Sequence, residues 1–285
     1  MPAPTVIIDP ADPRLDSFRD LLTRRPDPAL FFAESEVAVA RLLASPHFHT
    51  HAVLGTAPHL ARLAAAAQCQ LLQADHTLLR AVLGFDLHRG VIACAARPPA
   101  LARDLSLATC PIGPVLGASS LHTLLAAPRW TVLLVQGLAD PANLGSVLRS
   151  ARAFAVDLVL LDRRGADPLE RRAIRAAMGH VFAQPIAHSA DLVAALTELR
   201  SLGGSVWAAT ASPQARPLDA VARPPRLVLM VGNEGLGLPP ELLAAADLEL
   251  TIPIAPEVDS LGVAAATAVL LHGLKASPAA RGDCL

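Results

Sequence analysis

The chain has 285 residues, 53% of them hydrophobic and 17% charged, and a formal net charge of −1 at pH 7. That length accommodates two domains, and the balanced charge gives no global basic signature, so any binding to a nucleic acid must rest on local arginine clusters. The longest charge-free stretch near the C-terminus, residues 260–274, is too short to span a bilayer, and residues 1–14 lack the basic-then-apolar order of a signal peptide; the expectation is a cytoplasmic protein without membrane contact. Cys69, Cys94, Cys110 and Cys284 are widely spaced with no C-x-x-C pair, which argues against a zinc ribbon or a disulfide framework.

Residues 1–96 read as a first small α/β unit. Short helices are predicted over 12–22, 57–66 and 76–83, and helical spacing runs through Val37, Ala40, Arg41 and Ala44. Short apolar runs at 30–33, 51–54, 70–72 and 91–95 alternate with them as strand candidates. His47, His49 and His51 alternate and would share one face of a strand. No carboxylate or cysteine joins them at ligand spacing, so no metal is expected. Residues 97–129 are rich in proline, glycine and serine and read as a linker. A first unit set apart in this way is expected to fold alone.

The second domain spans 130–285. The runs TVLLVQ, VDLVLL, VFAQPI, SVWAAT, LVLMV and LELTI alternate with helical segments, which predicts a mostly parallel sheet covered on both faces. Asp167-Pro168-Leu169-Glu170 carries an N-cap signal for a helix ended by Gly179, and Ser189 and Gly203 bracket another.

Chemistry concentrates in three places. In QGLADPANLGSVLRSARAF, Asn143 is placed to cap a helix whose inward stripe is Leu144, Val147, Leu148 and Ala151. Arg149 and Arg152 lie on its outer side, either as an anion site or as a solvated face. After the apolar run 227–231 come Gly232, Gly235 and Gly237. Three glycines in six residues admit a close backbone approach to a ligand or serve simply as turn and cap residues. After 248–252 a loop runs from Pro253 to Ser260 before an alanine-rich helix. The order G-x-x-G-x-G is neither a dinucleotide fingerprint nor a P-loop, and the only lysine is Lys275.

Three stretches occur in order: D-P-x-N-x-G-x-x-x-R at Asp140–Arg149, V-G-N-E-G-x-G at Val231–Gly237 and I-P-x(6)-S-L at Ile252–Leu261. Together they resemble the three motifs of the SpoU (TrmH-type) RNA ribose 2′-O-methyltransferases of the SPOUT superfamily. FFAESEVAVARLLASPHF and GFDLHRGVIA resemble that family's accessory substrate-binding domain. The resemblance covers nearly the whole chain. It implies an α/β fold with a knotted (trefoil), mostly parallel-sheet methyltransferase domain, S-adenosyl-L-methionine as methyl donor, tRNA or rRNA as substrate, and a homodimer.

By resemblance, the donor would lie against Val231, Gly232, Asn233, Glu234, Gly235, Gly237, Ile252, Pro253, Ile254, Ser260 and Leu261. Asn143, Arg149, Glu234 and Ser260 would serve catalysis. RNA would meet Arg149, Arg152, Arg171, Arg172 and Arg175, the last three being equally readable as a solvated helix face. Arg149 suits a phosphate anchor better than a base, because a guanidinium stays protonated in proteins. The family pattern S-L-N-V reads Ser260-Leu261-Gly262-Val263 here. That departure leaves a weak or inactive RNA-binding relative as the alternative, with Asn233 or water expected to replace the missing amide. A different α/β enzyme using a nucleotide is the more distant alternative.

Overall fold

The computed structural model describes residues 3–23, 27–98, 125–233 and 235–275. Most of the predicted linker, together with Cys110, Cys284 and Glu234, lies outside the described residues.

The first unit is a five-stranded mixed sheet in the order β1-β4-β3-β5-β2, with β1 Thr5–Val6, β2 Leu30–Glu34, β3 Thr50–Gly55, β4 Gln70–Gln73 and β5 Val91–Ala96. Helices α1 (Glu36–Ala44), α2 (Ala57–Leu63) and α3 (His76–Leu83) connect its strands. The end signals of α3 are clear: Asp75 accepts from Leu78 N at 2.8 Å and Gly84 closes the helix in the left-handed region. The helix predicted over 12–22 is shorter, a 3-10 helix at Pro13–Phe18.

The second unit is an all-parallel seven-stranded sheet in the order β10-β12-β9-β11-β6-β7-β8. Its strands are β6 Trp130–Val135, β7 Leu158–Leu161, β8 Ile186–His188, β9 Ser205–Ala209, β10 Arg216–Pro217, β11 Arg226–Val231 and β12 Leu248–Thr251. The helices are α4 Pro141–Ala153, α5 Arg171–Ala176, α6 Leu192–Ser201, α7 Pro240–Ala244 and α8 Val263–Gly273. The apolar runs are continuous because both faces are covered. Leu133, Val135, Val159, Leu161, Leu229 and Val231 face the layer of α4, α5 and α8. Val132, Leu134, Leu158, Leu160, Val228 and Met230 face the layer of α6 and α7. Among the described residues no helix is long and apolar enough to cross a membrane.

Gly145 sets the spacing of the α4 layer. A Cβ there would fall 2.3 Å from the Ala173 carbonyl oxygen of α5, so only glycine lets the two helices approach this closely. The glycine of the first motif thus has a packing reason.

The two units share one apolar cluster. Phe31, Val39, Leu42 and Phe48 belong to the same apolar cluster as Leu144, Ile174 and Phe182. The rings of Phe31 and Phe48 stand 5.8 and 5.2 Å from that of Phe182. Polar contacts cross the seam as well. Arg171 pairs with the buried Glu34, Arg175 approaches the same carboxylate at 3.6 Å, and Arg97 meets Asp167 at 2.6 Å. The run VFAQPI, predicted as one strand, divides into a 3-10 turn at His180–Phe182 and the short β8, because Phe182 turns into this shared core.

Candidate functional site

The strands of the second sheet run parallel, so their C-terminal ends form one edge, the place where open α/β sheets hold ligands. The loops leaving β6, β7 and β11 are tied together there. Asp162, after β7, accepts from Gly137 N at 2.9 Å and from Gly165 N at 3.1 Å. Asn233 donates from Nδ2 to Gly137 O at 2.8 Å, and its Oδ1 accepts from Gly235 N at 2.8 Å and Leu236 N at 3.1 Å. Asn233 therefore folds its own loop and fastens it to the neighbouring one. Its Oδ1 accepts twice and its Nδ2 donates once, so among the described residues the second Nδ2 hydrogen is what this amide still offers towards position 262.

Two glycines make the loop possible for different reasons. A Cβ on Gly232 would sit 2.4 Å from the Gly237 carbonyl carbon, so the loop could not close on itself. Gly237 lies in the left-handed region at φ 66°, which disfavours a side chain whatever the space.

A cavity of about 330 Å³ opens beside this loop, at the lower end of the size range of small-molecule sites. The predicted residues Val231, Gly232, Asn233, Gly237, Ile252, Ile254, Ser260 and Leu261 line it, and Gly235 and Pro253 do not. Gly235 is used as a backbone donor to Asn233 instead. Wall segments that escaped the sequence reading include Ala209–Ala211 at the end of β9, Leu236 and Leu238, Leu250 and Thr251 of β12, and the α8 residues Val263, Ala266 and Leu270. The walls are aliphatic, with polar groups at Thr210, Asn233, Thr251 and Ser260. That combination suits a ligand with a flat apolar ring and hydrogen-bonding edges.

Helix α4 starts beside the same edge. Its cap is Asp140, which accepts from Ala142 N at 2.6 Å with Pro141 in the first turn. Asn143 is not the cap, contrary to prediction; it lies half-buried one turn inside. Similarly α5 begins at Arg171, four residues after Asp167, because Asp167 to Glu170 close a turn. The cap of α6 is Asp191 rather than Ser189.

The five arginines divide. Arg149 and Arg152 are exposed, one helical turn apart, and their side chains make no hydrogen bond or ion pair among the described residues. Arg171 is half-buried against Glu34 and lies over the Phe85 ring at 4.4 Å, Arg175 shares Glu34, and Arg172 lies 3.7 Å from Asp140. His180, not singled out in the sequence, lies near Arg41, Arg152 and Arg149. Burial first, then these three cations, lower its pKa from 6.5. Among the described residues no cluster of His, Cys, Asp and Glu could hold a metal ion, and the rings of His49 and His51 simply stand edge to face at 4.9 Å.

Gly262 occupies the N-cap of α8 without a side-chain hydrogen bond, and a Cβ there would meet nothing within 4 Å. The position has room for the asparagine that the motif pattern leads one to expect.

The SpoU rRNA Methylase family model matches residues 131–272. An uncharacterized tRNA/rRNA methyltransferase of Mycobacterium tuberculosis is 37% identical over 275 residues, covering 93% of this chain and 90% of that one. A 23S rRNA (guanosine(2553)-2′-O)-methyltransferase of Bacillus subtilis is 35% identical over 144 residues, 50% of this chain and 57% of that one. Among solved structures, an RNA 2′-O ribose methyltransferase superposes with a TM-score of 0.72 at 27% identity, covering 95% of this chain and 98% of the other. An AdoMet-bound rRNA methyltransferase of Sinorhizobium meliloti has the same fold, with a TM-score of 0.72 at 23% identity and coverages of 95% and 97%.

Proposed function

From the premise that the chain belongs to the SpoU rRNA methylase family, we propose that it transfers a methyl group from S-adenosylmethionine to a ribose 2′-OH of tRNA or rRNA. The observation that carries this is the cavity at the strand ends, bordered on one side by the Gly232–Gly237 loop and on another by Ser260 and Leu261. Its aliphatic walls and few polar groups fit the donor, which supplies an electrophilic methyl on a sulfonium. Ile252, Ile254 and Leu261 would exclude water, and the backbone of the glycine loop would orient the donor.

The chain's remaining task is to hold a ribose hydroxyl in line and to manage the charge that develops on its oxygen, so positioning dominates the barrier. Arg149 would anchor an adjacent phosphate and offset that charge, with Asn143, Glu234 and Ser260 completing the site. Arg152 would extend the RNA contact. Residues 1–96 would serve as the accessory RNA-binding unit.

The fold reads as knotted. In support, the chain leaves β11 and places β12 beyond β9, then returns through α8 to pack on α4. It reads as a cytoplasmic homodimer. In support, Leu236, Ile254, Val258, Leu261 and Val269 are exposed on the glycine loop, the loop beyond β12 and α8, leaving an apolar rim for a second copy.

The test is calorimetric titration with S-adenosylmethionine, followed by mass-spectrometric mapping of ribose methylation in tRNA and rRNA from cells with and without the protein. Absence of donor binding would overturn the reading of the cavity. Identical methylation maps would overturn the reaction.

A further inference from the structure

We propose that Arg41 and His180 join Arg149 and Arg152 in a single binding site for the RNA phosphodiester backbone, astride the seam between the two sheets. The inference rests on the reading of the protein as an RNA methyltransferase and extends it to residues outside the three motifs. Both α1 and α4 pack against the turn at residues 180–182. Arg41, on α1, donates from Nη1 to the carbonyl of Met178, which fixes its guanidinium two residues from His180. The turn itself is held tightly. Met178 and Gly179 both have positive φ, and a Cβ on Gly179 would fall 2.8 Å from Ala38 Cα of α1. Ser45 closes the other side by donating to Phe182 O at 3.1 Å. Four cationic or protonatable groups from three elements thus meet on a preformed surface.

The charge balance of this surface is one-sided. Among the described residues, the charged groups acting on His180 are Arg41 from α1 and Arg152 and Arg149 from α4, with no carboxylate among them. Among the described residues none of these three arginines forms an ion pair, whereas Arg97, Arg171 and Arg175 at the same seam each meet an acid. Like charges held together without a counter-ion repel, and a polyanion relieves that repulsion on binding. RNA phosphates match this chemistry, since each guanidinium can present two parallel donors to one phosphate. His180 adds a conditional contact. It is neutral in the free protein at neutral pH, and a phosphate beside it favours its protonated form, so RNA binding takes up a proton.

The test uses the full chain and a fluorescently labelled, mixed-sequence single-stranded RNA oligonucleotide, with affinity measured against salt and pH. Arg41→Gln should weaken binding several-fold and lower the log–log salt slope by about 0.7, the value of one lost single-strand phosphate contact. Arg41→Lys should restore the slope. Wild-type affinity should rise as the pH falls from neutral towards the lowered His180 pKa of the free protein, and His180→Gln should remove that rise while melting at the wild-type temperature. An unchanged salt slope in folded Arg41→Gln would overturn the proposal, as would a pH dependence that persists in His180→Gln. A wild type that binds RNA this way but transfers no methyl group would sink the proposed reaction and leave this site standing.

Discussion

Two groups of arginines lie within a few helical turns of each other and do opposite things. Arg97, Arg171 and Arg175 meet Asp167 and the buried Glu34, and they hold the first unit to the second. Arg149 and Arg152 project from α4 and form no ion pair among the described residues. A cation matched by an acid inside the chain contributes to the fold, and one left unmatched on the surface is available to a ligand. Composition cannot separate the two, because the acids that make the difference are distant in sequence. Glu34 precedes Arg171 by 137 residues.

The largest effect that would sharpen this contrast is on catalysis. Arg149→Ala should lower methyl transfer by about 10²–10³-fold, or roughly 2.7–4 kcal/mol, the usual cost of losing one preorganised charge-stabilising donor. Because Arg149 has no partner in the described protein, the melting temperature and the affinity for S-adenosylmethionine should stay close to wild type. Transfer at the wild-type rate would remove Arg149 from the site.

The converse substitution acts on stability. Glu34→Ala leaves Arg171 half-buried without its acid and should cost about 3 kcal/mol, the low end for a broken buried pair, since Arg175 is half exposed. Denaturant unfolding at neutral pH measures it. A loss below about 0.5 kcal/mol, the scale of an ordinary surface substitution, would mean that the seam arginines are no more structural than those of α4.

A third cation-capable group lies deeper. His188, at the end of β8, is half-buried, its Nδ1 is 3.3 Å from Asp162 O and its Nε2, itself shielded from solvent, has no hydrogen-bond partner among the described residues. Burial lowers its pKa from 6.5. Below that pH the unfolded chain binds a proton that the folded chain resists, so stability is full above 6.5 and falls as the pH drops towards the folded value. His188→Gln should flatten this loss in urea titrations between neutral and mildly acidic pH. A wild-type stability that does not decline over that range would exclude the effect.

The smallest effect is expected where neither charge nor packing is at stake. Gly262→Asn fits open space at a helix cap, so it should stabilise the fold by a few tenths of a kcal/mol. It should change the methyl-transfer rate by no more than about tenfold, or roughly 1.4 kcal/mol of barrier. An inactive wild type rescued by this substitution would show that the glycine departure disables the enzyme.

Much of this was legible in the sequence, for identifiable reasons. The central strands of the second sheet announced themselves because burial on both faces demands unbroken apolar runs, whereas the exposed two-residue edge strand β10 gave no such signal. The glycine loop and the Ile252–Leu261 loop announced themselves because close backbone approach demands particular residues. Helix starts were less legible. Asp140-Pro141 and Asp167-Pro168 look alike, yet the first caps a helix and the second closes a turn. The wall at Thr210 and Ala211 carries no glycine and gave no local signal. It could have been inferred only from the adjacency of β9 and β11, which is a property of the sheet. His180 was hidden because Phe182 made its segment look like a strand.

The parallel order of the second sheet has a consequence for how the chain assembles. Every strand pair there joins segments separated by a crossover, and the central partners β6 and β11, with Trp130 opposite Arg226, are 226 − 130 = 96 residues apart. Closing so long a loop must precede the contacts that reward it, so refolding should be slow for the size of the domain. The chain's two tryptophans, Trp130 in β6 and Trp207 in β9, are both buried against this central sheet. Their fluorescence after dilution from denaturant should therefore recover late, with the sheet, well after the amide circular dichroism of the helices has returned.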